Sequence, residues 1–310
     1  MQLYFAPLEG ITDSVYRRLH HRYFPGLDRY YMPFFSPTMH RCLTRKEDRE
    51  LPMADSESFV AIPQIMTKVP EDFIWAAQQC AERGYQEVNL NIGCPSGTVV
   101  AKGKGAGMLA DPEALDRFLE RICSESPIPV SVKTRLGLKS SEEFPKLLEI
   151  FDQYPIKELT IHPRIRTDFY KLPVQLSWFS YALENTQLPL CYNGDIDSLS
   201  TLKQMQARFP EVEAFMVGRG LVGNPGMLTP GGTDMKILEQ FHDHLLEEYS
   251  ACFGSTRNAM FRMKENWHYL SQHFEGGEKL FKNLRKTTDL GEYRQITTEI
   301  FHNLPYLQTV

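Results

Sequence analysis

Eight short apolar runs recur through the first two thirds of the chain, and the stretches between them carry helical patterns. The runs are 2–7 (QLYFAP), 29–35 (RYYMPFF), 59–66 (FVAIPQIM), 87–93 (EVNLNIG), 129–135 (PVSVKTR), 158–163 (ELTIHP), 188–194 (LPLCYNG) and 213–220 (EAFMVGRG). Many are apolar at consecutive rather than alternate positions, as strands covered on both faces of a parallel sheet are. The intervening segments 72–84, 112–123 and 198–209 are amphipathic at helical spacing. The first follows Pro70–Glu71 and ends at Gly84, residues that open and close helices. Eight strands with intervening helices predict an α/β fold of the (β/α)8 TIM-barrel type. A doubly wound open sheet is the alternative reading of the same alternation.

The alternation stops at 228–234 (LTPGGTD), a Pro/Gly cluster that reads as a linker. Beyond it lie four helix candidates, 235–251, 257–274, 278–287 and 291–304, and no strand candidate. Ile237, Leu238, Phe241, Leu245 and Tyr249 share one face of the first. Met260, Met263, Trp267, Leu270 and Phe274 share one face of the second. The predicted division is therefore a barrel domain over 1–232 and a small helical bundle over 233–310.

Composition narrows the function classes. The 310 residues carry a formal net charge of −5 and six cysteines without a CxxC pair, so neither a disulfide framework nor a zinc site is expected. No run of about 18 apolar residues exists, so no membrane span is expected. MQLYFAPLEG has no basic region ahead of its apolar stretch and meets Pro7 early, unlike a secretory signal. Reduced thiols in the cytoplasm are the expectation. The mildly acidic total argues weakly against a nucleic-acid partner, but charge distribution matters more than the sum.

In a barrel the chemistry sits where the strands end. Polar or conformationally special residues follow nearly every run: APLEG (6–10), Gln64, Asn91 and Cys94, Lys133 and Arg135, His162 and Arg164, NGD (193–195) and GRG (218–220). Such clustering predicts one convergent site. NGD and GRG suit a phosphate, because glycine lets backbone N–H groups approach an anion and Arg219 adds a forked donor; glycine-rich turns alone are the plainer reading. Lys133 lies in a run expected to be buried, so it needs an anion, an electron-rich ring or a barrel carboxylate. His162 is either a satisfied core histidine or a site residue. The glycine-rich 103–107 (GKGAG) is expected to be a flexible loop close enough to Cys94 to act as a lid.

Among the cysteines, Cys80 and Cys191 fall on a helix and a strand and read as packing. Cys94 alone sits in a strand-end loop, between Gly93 and Pro95. It could serve as a nucleophilic thiolate, or as a general acid that keeps its proton at an ordinary pKa of about 8.5.

Taken together these segments resemble the tRNA-dihydrouridine synthase (Dus) family. The match runs in order through APLEGITD (6–13), PQIM (63–66), VNLNIGCPSGTVVAKGKGAGMLADP (88–112), SVKTRLG (131–137), HPR (162–164), YNGDI (192–196) and MVGRGLVGNP (216–225). FRMKENWHY (261–269) resembles the family's C-terminal domain. The resemblance implies a flavin-binding barrel, a helical domain that helps hold tRNA, non-covalent FMN and NADPH as electron donor. It assigns flavin contacts to Pro7, Leu8, Glu9, Gln64, Lys133, His162, Asn193, Gly194, Asp195, Gly218 and Arg219, with the last five at the phosphate and ribityl end. The implied reaction reduces the 5,6 double bond of a D-loop uridine, with Cys94 giving the proton to carbon 5. Asn91 and Arg135 are candidates for positioning the uracil, and Arg164, Arg166, Arg262 and Lys264 for further substrate contacts.

From Ser255 to Arg294 eight basic residues stand against five acidic ones, compatible with phosphate contacts. Two departures stand out: HPRIRT replaces an HGR-Thr pattern, and Glu9 stands where a small residue is common. A monomer is expected. A barrel flavoenzyme acting on a free pyrimidine or enone, and a non-catalytic tRNA-binding protein, are the competing readings.

Overall fold

The computed structural model describes residues 1–308. Its nine strands are β1 Gln2–Phe5, β2 Arg29–Tyr31, β3 Val60–Ile62, β4 Gln64–Ile65, β5 Val88–Ile92, β6 Val130–Gly137, β7 Leu159–Ile165, β8 Leu190–Asn193 and β9 Ala214–Val217. They form one sheet in the order β3-β2-β1-β9-β8-β7-β6-β5-β4. Every registered pair is parallel. The sheet ends β3 and β4 are halves of a single predicted strand, parted at Pro63. One half pairs with β2 and the other with β5, so this strand closes the barrel. Pro63 has no N–H to donate, and its carbonyl accepts from Asn89 at 2.8 Å. The nine strands are thus the eight of a (β/α)8 barrel.

The chain packs as two compact units. The first comprises 1–7, 28–194 and 208–216; the second comprises 8–27, 195–207 and 217–310. In the first, helices such as Pro70–Glu82 and Pro112–Glu125 each start on proline and bury one apolar stripe, and Phe73 meets Phe118 edge-on at 6.2 Å. The N-terminal end of the barrel holds ionisable groups. Tyr4 and Tyr31 donate to the two oxygens of Glu158 at 2.9 and 3.2 Å, while Glu87 pairs with Arg29 and Lys157. Burial holds the Glu158 carboxyl above the usual carboxylate range.

The second unit contains the helices Ser14–Tyr23, Met235–Phe253, Thr256–Leu270, Glu278–Lys286 and Leu290–Asn303. Its core follows the predicted faces. Leu238, Phe241, Leu245, Tyr249, Met260, Met263, Trp267, Leu270 and Phe274 are buried, whereas Ile237 is exposed. Trp267 donates from Nε1 to His242 Nε2 at 3.2 Å and to Tyr293 Oη at 3.0 Å, which satisfies the polar atoms of this aromatic core. No helix among the described residues is long and apolar enough to cross a membrane.

Candidate active site

In the first unit, five adjacent strand ends carry the polar residues. Gln64 lies on β4, Asn91 on β5, Lys133 and Arg135 on β6, His162 and Arg164 on β7, and Asn193 on β8. The pairing registers set Gln64 beside Asn89, Asn91 beside Lys133, and Arg135 beside His162. Parallel pairing therefore brings residues far apart in sequence to one face, as the strand-end argument requires.

The Cys94 loop is tied from three sides. Asn91 Oδ1 accepts the backbone N–H of Gly93 at 3.1 Å and that of Cys94 at 3.0 Å, and Asn91 Nδ2 donates to Gln64 Oε1 at 2.7 Å. Arg135 Nε donates to Gly93 O at 3.0 Å, and Arg166 Nε to Pro95 O at 3.2 Å. The segment behind Cys94 is ordered: a helical turn Gly97–Val100 leads into a 3-10 segment Gly105–Ala110, and Ala106 N–H donates to Cys94 O at 3.1 Å. This differs from the flexible loop expected of GKGAG. A Cβ on Gly105 would lie 2.9 Å from Val99 Cγ1 and 3.0 Å from Cys94 Cβ, and one on Gly107 would lie 2.9 Å from Val100 O. The glycines permit close packing, and Gly105 also has φ +55.

Lys133 Nζ donates to Asn193 Oδ1 at 2.7 Å, and Asn193 Nδ2 donates to Met216 O at 2.8 Å. Burial, with Arg135 adding like charge, pulls the Lys133 pKa down to about 8. Arg135 is 1% exposed; its Nη1 donates to Ile165 O and Phe169 O at 3.0 and 2.9 Å. Arg164 is turned inward: Nε donates to Leu172 O at 2.5 Å and Nη1 lies 2.9 Å from His162 Nε2. Both arginines thus shape the 165–172 loop. Pro163 is accommodated inside β7. A Cβ on Gly194, at φ +158, would meet Val174 Cγ1 at 2.8 Å and His162 Cδ2 at 3.4 Å, so this turn admits only glycine. Pro7 closes the first unit's N-terminal segment.

Tyr170 was not among the residues that the sequence singled out. Its ring is 50% exposed, lies 5.2 Å from the Arg135 guanidinium and tilts against His162 at 5.7 Å. Phe169 beside it takes φ +49, a strained value for an aromatic residue. The one signal in the sequence is an aromatic pair, FY, in the loop after a strand bearing His and Arg.

In the second unit, Leu8 N–H donates to Thr12 Oγ1 at 2.9 Å, which shapes the turn that carries Glu9. Arg219 pairs with Asp195 at 3.1 Å beside Gly218. A Cβ on Gly220 would lie 2.4 Å from Ile196 O, so these two turns meet backbone to backbone. Arg262 faces Asp13 at 3.8 Å and stacks near Tyr249 and Phe253. Lys264 Nζ donates to the carbonyls of Arg285 and Thr287, at the end of the helix Glu278–Lys286. It therefore satisfies helix-end carbonyls.

The donor set of the first unit fits a flavin. The Asn193 amide, the Lys133 ammonium and the His162 ring bring donors and acceptors to one barrel end, as the polar edge of an isoalloxazine requires, whereas Gln64 is 0% exposed with its amide bonded to Asn89 and Asn91. No group of three or more His, Cys, Asp or Glu among the described residues is placed to hold a metal ion.

A family model described as dihydrouridine synthase (Dus) matches residues 4–308. A tRNA-dihydrouridine synthase B of Pasteurella multocida is 29% identical over 226 residues, covering 72% of this chain and 67% of its own. A probable tRNA-dihydrouridine synthase 1 of Synechocystis is 25% identical over 313 residues, covering 94% and 84%. Among solved structures, morphinone reductase in complex with tetrahydroNAD superposes with a TM-score of 0.52 at 10% identity, over 73% of this chain and 85% of that one. The old yellow enzyme homologue of Zymomonas mobilis gives 0.50 at 11%, over 72% and 86%. These two likenesses concern the fold.

Proposed function

The chain belongs to the dihydrouridine synthase (Dus) family, and on that basis we propose that it reduces a uridine of tRNA to 5,6-dihydrouridine with FMN and NADPH. The observation that carries this reading is the tethering of Cys94 by Asn91 and Arg135, on the barrel end that also presents Lys133.

Lys133, His162, Asn193 and Gly194 would hold the flavin ring and its side chain from the first unit, and Gln64 supports them through its hydrogen bond with Asn91. Pro7, Leu8, Glu9, Asp195, Gly218 and Arg219 complete the flavin set by motif. FMN, when bound there, would supply hydride chemistry for carbon 6 of the uracil, with NADPH as the electron source. The Cys94 thiol gives its proton to carbon 5 and regains one from solvent, so the double bond gains one hydride and one proton. Lys133 would place positive charge beside the bound cofactor and so would favour its reduced form. Asn91 acts by fixing the Cys94 backbone rather than by touching uracil. Arg135 holds the same loop and backs the Tyr170 ring, which offers an aromatic face for a nucleobase.

The target base must leave its stack to reach Cys94. The helical residues 233–310 are assigned to gripping tRNA, through basic side chains such as Arg257, Lys279 and Lys282. Arg262 and Lys264 serve chiefly to hold their own unit together. The test is dihydrouridine formation from unmodified tRNA by the FMN-loaded protein with NADPH. Product in folded tRNA and none from free uracil supports the reading; no product, or equal turnover of the free base, overturns it.

A further inference from the structure

Lys68 follows β4, and the segment behind Cys94 follows β5, the neighbouring strand. The two meet at Gly103. A Cβ on that residue would lie 3.4 Å from Lys68 Nζ and 3.5 Å from Lys68 Cδ. Gly103 takes φ +67 and is flanked in the chain by Lys102 and Lys104. Three ammonium groups therefore belong to two touching loops. None of the three forms an ion pair among the described residues. The two carboxylates that follow Lys68 are already engaged, Glu71 with Arg121 at 3.1 Å and Asp72 with Arg41 at 3.2 Å. Asp111, at the end of the same segment, caps a helix by accepting from Ala114 N–H at 3.0 Å.

Ammonium groups carried on two touching loops attract a polyanion. The cluster is also mechanically joined to the proton donor. Lys104 N–H donates to Val99 O at 3.2 Å, Gly107 N–H donates to Lys104 O at 3.0 Å, and Ala106 N–H donates to Cys94 O. Gly105, next to Lys104, abuts Cys94 itself.

We propose that Lys68, Lys102 and Lys104 form a clamp for the RNA phosphates that flank the nucleotide presented to Cys94. The inference rests on the tRNA reading above and locates part of its backbone grip on the catalytic unit. A continuous polyanion suits three exposed or half-exposed amines on loop tips better than a compact dinucleotide, which needs a walled pocket. Because the clamp and Cys94 share one ordered segment, gripping the backbone also sets the register of the base.

The test compares the full-length FMN-loaded protein with its K68Q/K102Q/K104Q variant. Three measurements are made: tRNA binding across a KCl series, dihydrouridine formation, and the KM for NADPH. The clamp predicts at least a tenfold rise in the Kd for tRNA, with an unchanged KM for NADPH and an unchanged flavin spectrum. It also predicts that the slope of log K against log salt shrinks by about 2, at roughly 0.7 for each single-strand phosphate that is no longer neutralised. Wild-type affinity and salt slope in the variant overturn the clamp while leaving the tRNA reading intact. A raised KM for NADPH with unaltered tRNA binding overturns it in favour of a dinucleotide site. Clamp-dependent tRNA binding by a wild-type protein that forms no dihydrouridine supports the clamp and overturns the enzymatic reading instead.

Discussion

Asn91 Oδ1 accepts the backbone N–H of Cys94 at 3.0 Å, so a side chain at the end of one strand fixes where the following thiol stands. The same oxygen takes the N–H of Gly93, and the amide nitrogen of Asn91 is bonded to Gln64. Asn91→Leu should leave two half-buried donors and one buried acceptor without their partner and let the loop drift. An error of about 1 Å in placing a reacting group costs on the order of 100-fold in rate. Dihydrouridine formation should fall by that order, while NADPH-driven flavin reduction stays near wild type. Asn91→Asp keeps the acceptor and should recover much of the loss. Equal loss in both variants would show that the Cys94 tether is not the role of Asn91.

Cys94→Ala removes the proposed proton donor without disturbing its backbone tethers. General acids contribute about 100- to 10,000-fold. The variant should bind FMN with an unaltered visible spectrum and lose dihydrouridine formation by a factor in that range. Single-turnover oxidation of the reduced protein by tRNA measures the step directly. A wild-type rate would remove Cys94 from acid catalysis.

How much of this was legible before the fold can be judged residue by residue. The eight strands were, because runs such as LYFA (3–6) and AFMV (214–217) are apolar at consecutive positions, as strands buried on both faces are. The gathering of Gln64, Asn91, Lys133 and His162 followed once strand ends were aligned. Side-chain direction did not. Lys264 and Arg164 look from composition like ligands for phosphate, yet their hydrogen bonds run to backbone carbonyls that only tertiary packing brings near. Tyr170 stayed hidden because a loop aromatic has no periodicity to reveal it. GKGAG read as flexible because glycine permits freedom as readily as it permits close contact.

Lys133 supplies a pH dependence. Its pKa is pulled down to about 8, so the amine is cationic below that value and neutral above it. If the cation is what supports reduced flavin, turnover should decline as pH rises through about 8. Lys133→Met should be slow throughout and lack that limb. Its flavin reduction potential should be lower than wild type at pH 7 and less sensitive to pH between 7 and 9. A variant that retains the wild-type limb would assign the titration to another group.

His20 supplies a pH dependence of stability. Its ring is buried, Nε2 lies 3.1 Å from Pro225 O, and burial pushes its pKa down to about 3. An unfolded histidine titrates near 6.5. Between those values the unfolded chain binds a proton that the folded chain refuses, so this contribution to stability is present above pH 6.5 and lost as pH falls toward 3. From pH 7.5 to 5 the loss should be ~2 kcal/mol from this group. His20→Gln keeps a donor for Pro225 O and cannot protonate, so it should be less stable than wild type at pH 7.5 but lose less on acidification. Urea unfolding at both pH values measures the difference. Equal losses in the two proteins would show that His20 is not the group whose protonation loosens the second unit.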